Sequence, residues 1–245
     1  MSLIPVLDLA RGQAVQAVAG RRAEYKPLKS GLVKGSTGDA LAIAKAYREV
    51  FTVENCYVAD LDAIQGGAVQ LDLIGQLANP ESGFGSGLAV DAGPAGLMSG
   101  RSLLELGVSR VVLGLESLTS FMELEQLAAE LGAGVVLFSL DLEGGKAKLN
   151  PGADADLSST SEPLALAQRA VAAGVGGIIV LDIADVGSRK GPTTAGLVRE
   201  LGGLSIPIYA GGGVRSKKDM ATLVEAGAKG VLVGTALHSN DGWKD

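Results

Sequence analysis

The sequence predicts an α/β fold of one kind, a (β/α)8 TIM barrel built from two half-barrel repeats with its last helix truncated. The first observation is an internal repeat: Leu-Asp-Leu-x-x-Gly-x-Ala occurs at residues 7–14 and again at 140–147, which sets Asp8 and Asp141 in matching contexts. Asp60 and Asp182 form a second matched pair, and Gly93 with Gly213 and Gly114 with Gly234 keep a common separation of 120 residues. The second observation is that each matched residue ends an apolar run, where a parallel strand stops, and in this fold the strand ends build the active site. The third is length: 245 residues make one such domain, with half-barrels at about 1–120 and 121–245.

The elements follow in order. Eight short apolar runs, near 3–8, 56–61, 87–91, 110–114, 134–141, 177–182, 206–210 and 229–234, alternate with helical patterns near 37–51, 68–79, 99–107, 117–132, 161–174, 193–202 and 216–227. The runs are continuously apolar because strands covered by helices are buried on both faces. Ser216 and Asp219 read as a capping pair, and Gly132, Gly174 and Gly227 fall where helices end. Two connections are long, about 9–36 and 142–160. Each follows a repeated aspartate on the same barrel face, and both are expected to be structureless loops with a role in the site. After Gly234-Thr235 little chain is left for an eighth helix. The wall beside the first and last helices then needs cover, from Trp243 folding back or from a second subunit, so a homo-oligomer is an open expectation.

Composition narrows the class of partner. The chain is 47% hydrophobic, enough for a large core, and its formal charge is −6. It has no basic stripe, so nucleic acid is not an expected partner. No stretch approaches a membrane span, and the apolar start is broken by Asp8 before it reaches signal-peptide length. The single cysteine, Cys56, has no internal disulfide partner and falls in a predicted core strand. A reducing, cytoplasmic setting follows.

Chemistry concentrates at the predicted strand ends. Ala210-Gly211-Gly212-Gly213 follows the seventh strand, and Val233-Gly234-Thr235 follows the eighth and opens a short helical stretch. Glycines let backbone N–H groups approach an anion, a helix N-terminus adds a favourable dipole, and loops 7 and 8 are the common phosphate position in this fold. Gly212, Gly213, Gly234 and Thr235 are therefore the candidate phosphate site. The matching first-half residues are Asp91-Ala92-Gly93 and Leu115-Glu116, whose carboxylates repel phosphate. One phosphate site is expected, with a cationic or polyhydroxyl group opposite. Asp8 and Asp141 suit general acid–base work. Asp60, Asp91, Glu116, Asp182 and Asp185 crowd the same rim, where mutual repulsion raises carboxyl pKa values. Asp60 and Asp182 read equally well as loop caps. Arg22, Lys26 and Lys148 are candidate substrate contacts, Lys148 also as a Schiff-base lysine. A magnesium ion among the carboxylates stays open, but no ligand set for zinc exists, and no cofactor or resident metal is expected. His238, the only histidine, reads as a surface or helix residue rather than a catalyst.

The segments Ile4-Pro5-Val6-Leu7-Asp8-Leu9, Phe138-Ser139-Leu140-Asp141, Ala210-Gly211-Gly212-Gly213-Val214-Arg215-Ser216 and Gly230-Val231-Leu232-Val233-Gly234-Thr235-Ala236-Leu237 resemble the histidine-biosynthesis barrels, the family of ProFAR isomerase and its sister cyclase. The resemblance covers almost the whole chain. It implies an Amadori-type sugar isomerisation with Asp8 and Asp141 as the acid–base pair, and a substrate phosphate on Gly212, Gly213, Gly234 and Thr235. Three segments depart from the family pattern. The first-half phosphate loop, usually Gly-Gly-Gly-x-Arg, reads Asp91-Ala92-Gly93-Pro94-Ala95. A threonine after the sixth strand is replaced by Leu181, and an Asp-Gly pair by Val186-Gly187. The stretches 21–30 and 57–64 resemble a divergent branch found with tetrahydromethanopterin-linked one-carbon metabolism. The expected function is an isomerase acting on a phosphorylated small molecule. The alternatives are a lyase or aldolase in one-carbon cofactor synthesis and a non-catalytic protein that binds a phosphorylated ligand.

Overall fold

The computed structural model describes residues 2–18, 20–81, 83–93, 97–132, 134–188, 191–239 and 243. Eight parallel strands form the barrel: β1 Ser2–Ala10, β2 Cys56–Asp60, β3 Leu88–Asp91, β4 Arg110–Gly114, β5 Val136–Glu143, β6 Gly177–Asp182, β7 Ile208–Gly211 and β8 Gly230–Val233. Each pairs with the next, and β8 returns to β1 through the register Ser2↔Gly230 to Pro5↔Val233, so the sheet has no free edge within the ring. Among the described residues seven helices longer than a single turn cover the outside: α1 Ala40–Phe51, α2 Leu71–Ala78, α3 Leu97–Glu105, α4 Phe121–Leu131, α5 Pro163–Ala172, α6 Ala195–Leu201 and α7 Lys217–Glu225. No helix among the described residues is long and apolar enough to cross a membrane.

Side chains along each strand alternate between two cores, as the period of two requires. Cys56 and Val58 of β2, Val111 and Leu113 of β4, and Ile178 and Val180 of β6 pack outward under the helices. Tyr57, Ala59, Val112, Leu137, Ile179 and Leu232 pack inward and fill the barrel. The alternation is hidden in the sequence because both faces are dry.

The helix boundaries have local causes. The Asp39 side chain accepts from Ala42 N and starts α1, which ends where Thr52 turns left-handed at φ 52°. Ser120 accepts from Glu123 N at the start of α4, and Ser216 accepts from Asp219 N at the start of α7. The Asp219 carboxylate reaches one residue further back than a capping box, to Arg215 N at 2.9 Å.

The two long connections are not structureless. After β1 the chain turns through Arg11-Gly12 into an antiparallel strand, Gln13–Gln16, which pairs in turn with Lys26–Pro27. After β5 it turns through Gly144-Gly145 into Lys146–Ala147. All four turn residues have positive φ, between 52° and 81°, the requirement of a two-residue type I′ hairpin. The turns lie at equivalent places in the two halves, so the repeat extends beyond the strands.

In place of an eighth helix stands a 3₁₀ turn, Thr235–His238. Its Ala236, Leu237 and His238 are buried, and Trp243 packs against the outer core. His238 is buried rather than on the surface. Its Nε2 lies 2.7 Å from the Tyr47 hydroxyl and its Nδ1 2.9 Å from Ser30 Oγ, while Tyr47 donates to Val6 O at 3.0 Å. With the Tyr47 hydroxyl donating to Val6 O, Nε2 is the donor to Tyr47. Burial pushes its pKa down to about 4.

Candidate active site

Strand parity decides which carboxylates enter the barrel mouth. Asp8 shares the inward parity of Ile4 and Val6, Asp91 that of Ala89, and Asp141 that of Leu137 and Ser139. All three line one cavity at the C-terminal ends of the strands, of about 970 Å³ counting space open to solvent. Glu116 and Arg22 line it from the loops after β4 and β1. On the other side the lining is Gly212 and Gly213 after β7, and Gly234 and Thr235 after β8. Leu181, Val186 and Gly187, three of the departures from the family pattern, also line it. Pro94 and Ala95 lie outside the described residues.

Asp60 and Asp182 have the opposite parity and point outward, and neither lines the cavity. Both are buried with their oxygens taken by backbone donors. Asp60 accepts from Ala63 N and from Gln70 N at 2.7 Å. Asp182 accepts from Gly144 N, Gly145 N and Ala184 N. It thereby grips the hairpin turn after β5, and Asp62 and Gln70 grip the turn after β1 through Arg11 N and Gly12 N. As expected substrate contacts, Asp60 and Asp182 are corrected to loop anchors. Lys26 is exposed on its hairpin strand and lies away from the cavity lining. Lys148 stands beside the cavity with Nζ 3.2 Å from Glu116 Oε2, and an ammonium held in an ion pair is a poor nucleophile.

The carboxyl groups at the mouth are strongly perturbed. Asp141 accepts from Ser139 Oγ at 2.7 Å and from Glu116 N at 3.2 Å. Burial, with Glu116 and Asp91 nearby, still raises its pKa to about 8. Burial raises Asp8 to about 7, opposed by the Arg22 guanidinium. Asp91 rises to about 6, again chiefly by burial, although Gly93 N and the Tyr57 hydroxyl donate to it. Arg22 is ion-paired with Glu116 over the cavity.

Gly114 makes the crowding possible. A Cβ there would lie 2.7 Å from Asp141 Oδ2 and 3.5 Å from Asp91 Oδ2, so only the bare backbone fits between them. Gly213, at φ 71°, is also obligatory, since a Cβ would meet Gly191 O at 2.5 Å.

Two polar lining residues escaped the sequence reading as site residues. Tyr57 supplies the hydroxyl on Asp91, and Tyr25, in the loop after β1, has its phenol pKa pushed up to about 12 by burial. Inward parity with Ala59 identifies Tyr57; no comparable signal marks Tyr25. Among the described residues no group of three or more His, Cys, Asp or Glu side chains is arranged to hold a metal ion.

A closed eight-stranded parallel barrel with perturbed carboxyls lining one cavity at its mouth has the architecture of the (β/α)8 enzymes. Residues 2–242 match the histidine biosynthesis protein family, and the chain belongs to it. Among its relatives are the 1-(5-phosphoribosyl)-5-((5-phosphoribosylamino)methylideneamino)imidazole-4-carboxamide isomerases, or ProFAR isomerases, of Methanosarcina mazei and Methanosarcina acetivorans. The first is 30% identical across 96% of this chain and 92% of its own length, the second 31% across 97% and 92%. An uncharacterized protein of Methanocaldococcus jannaschii is 29% identical across 97% of this chain and 93% of its own length. The family relatives named by activity are isomerases, which supports an isomerase-type enzyme here.

Proposed function

We propose that the chain isomerises a singly phosphorylated small molecule by proton transfer between Asp141 and Asp8. The observation that carries this is one cavity lined on one side by the glycine turns after β7 and β8 and reached by both inward aspartates. With a pKa near 8, Asp141 keeps its proton at neutral pH and is the general acid. Asp8 titrates lower, beside Arg22, and is the better base. In an Amadori-type step on an aminoaldose, Asp141 gives its proton to the ring oxygen as the C1–O bond breaks. Asp8 then removes the proton from C2, and the resulting enolamine rearranges to the aminoketose. Gly212, Gly213, Gly234 and Thr235 hold the phosphate through backbone N–H groups and so fix the sugar between the two carboxyls.

The test is turnover of ProFAR by the purified protein, with Asp141→Asn as control. Turnover lost in the variant makes the chain a ProFAR isomerase. Absence of turnover, with thermal stabilisation by inorganic phosphate retained, moves the substrate to another phosphate monoester. Absence of both removes the proposal.

A further inference from the structure

The internal repeat places a second half-site opposite the glycine turns. Gly213 corresponds to Gly93 and Gly234 to Gly114, so the residues standing where the second half has its glycine-rich turns are Asp91 and Glu116. Both line the same cavity. This wall has the opposite electrostatic character to the one proposed for phosphate.

The two carboxylates are not equivalent. Glu116 is neutralised twice, by Arg22 on Oε1 and by Lys148 on Oε2. Asp91 is buried and accepts only from neutral donors, Gly93 N at 2.9 Å and the Tyr57 hydroxyl at 3.2 Å. Among the described residues no cation is ion-paired with it. Nor does it belong to the proton-transfer pair, whose members end β1 and β5. Asp91 is therefore a buried acid on the wall of a ligand cavity with no share in the proposed chemistry, and the one cation that acts on it, Arg22, is ion-paired with Glu116 instead. An anion in that position is costly unless a cation arrives. Asp91 Oδ2 carries the Tyr57 hydroxyl, and with Asp141 Oδ2 it approaches the same side of Gly114, 3.5 Å and 2.7 Å from where a Cβ would stand.

We propose that the end of the substrate remote from its phosphate carries an ammonium group, received by Asp91 beside Tyr57. A polyhydroxyl group would find acceptors there but would leave Asp91 without an ion pair, its charge offset only at a distance by Arg22, so the ammonium is the better complement. The proposal rests on the reading of the glycine turns as a phosphate site. It makes the enzyme selective for zwitterionic phosphate monoesters over bis-phosphorylated ones, whose second phosphate would face Asp91 and Glu116.

Matched probes separate the alternatives. ω-Aminoalkyl phosphates and ω-hydroxyalkyl phosphates of equal chain length, two to eight carbons, differ only in the terminal group. Their affinities are measured by calorimetry on the unaltered protein and on Asp91→Asn, with inorganic phosphate as reference. The expected result is aminoalkyl binding about tenfold tighter than hydroxyalkyl at the best-fitting length, with the preference lost in Asp91→Asn while phosphate still binds. Equal binding of the two series to the unaltered protein overturns the ammonium assignment and leaves the phosphate site standing. A preference that survives unchanged in Asp91→Asn overturns the role of Asp91. Failure of inorganic phosphate and both series to bind overturns the phosphate site and this inference with it.

Discussion

Arg22 and Glu116 are ion-paired across the mouth of the first half-barrel, joining the loop after β1 to the loop after β4 above Asp8 and Asp91. Arg22 also lowers the pKa of Asp8 against the effect of burial. Arg22→Ala is expected to move the Asp8 titration upward from about 7, so that less of Asp8 is ionised at neutral pH. Carbon NMR of the side-chain carboxyls reads this directly. An Asp8 titration that stays in place or moves downward contradicts the electrostatic account.

Asp141→Asn is expected to abolish turnover and stabilise the protein at pH 8. The folded pKa lies above the unfolded value of 3.8, so the contribution of Asp141 to stability is full below about 4 and is lost as pH rises through about 8. An asparagine keeps both contacts, accepting from Glu116 N and donating to Ser139 Oγ. The gain at pH 8 is on the order of 3 kcal/mol, seen as a shift in the urea midpoint, and it vanishes near pH 4. A variant less stable than the parent at pH 8 would contradict it.

His238 titrates with the opposite sign. Its folded pKa of about 4 lies below the unfolded 6.5, so its contribution is present above 6.5 and falls away as pH drops toward 4. His238→Gln is expected to be less stable at pH 7, because the links to Tyr47 and Ser30 weaken, and to lose less on acidification by about 1–3 kcal/mol. Urea unfolding at pH 7 and pH 4.5 compares the two. Parallel acid losses would mean that the histidine is not held neutral.

Gly114→Ala tests the crowding between Asp91 and Asp141. The added methyl would lie 2.7 Å from Asp141 Oδ2 and has to displace it. A stability loss of about 1–3 kcal/mol is expected, with activity falling far more than global stability accounts for. Unchanged kcat in this variant would show that the position of Asp141 is not critical.

Asp182→Ala tests the corrected reading of the outward carboxylates. It strips acceptors from Gly144, Gly145 and Ala184, a loss of about 2–4 kcal/mol. Amide exchange should quicken at Gly144 and Gly145 while Gly212 and Gly213 are unaffected. Uniform quickening across the barrel would point to general unfolding instead.

The strand and helix order was legible because apolar runs and capping residues report it directly. The difference between Asp8 or Asp141 and Asp60 or Asp182 was legible too, but only by counting parity within each strand. Val58 to Asp60 and Val180 to Asp182 are single two-residue steps on the outward face, whereas Val6 to Asp8 and Ser139 to Asp141 are the same step on the inward face. Without that count Asp60 and Asp182 read equally as substrate contacts and as loop caps; with it they are caps. The hairpins were hidden by their length, although Gly144-Gly145 is a strong two-residue turn signal. The pairing of Arg22 with Glu116 could not be read at all, because it depends on how a long loop folds back over the mouth.

The Ser30–His238–Tyr47–Val6 chain bears on how the ring is made during synthesis. Of the eight barrel strands β1 comes earliest in the chain, yet its second neighbour, β8, comes latest, and the imidazole that ties this seam to α1 follows five residues after β8 ends. Until then β1 keeps an open edge, a surface on which another nascent chain can pair. Closure of the ring therefore waits on the delivery of β8, and Asp8 and Asp141 share an enclosed barrel mouth only once Gly230–Val233 has paired with β1.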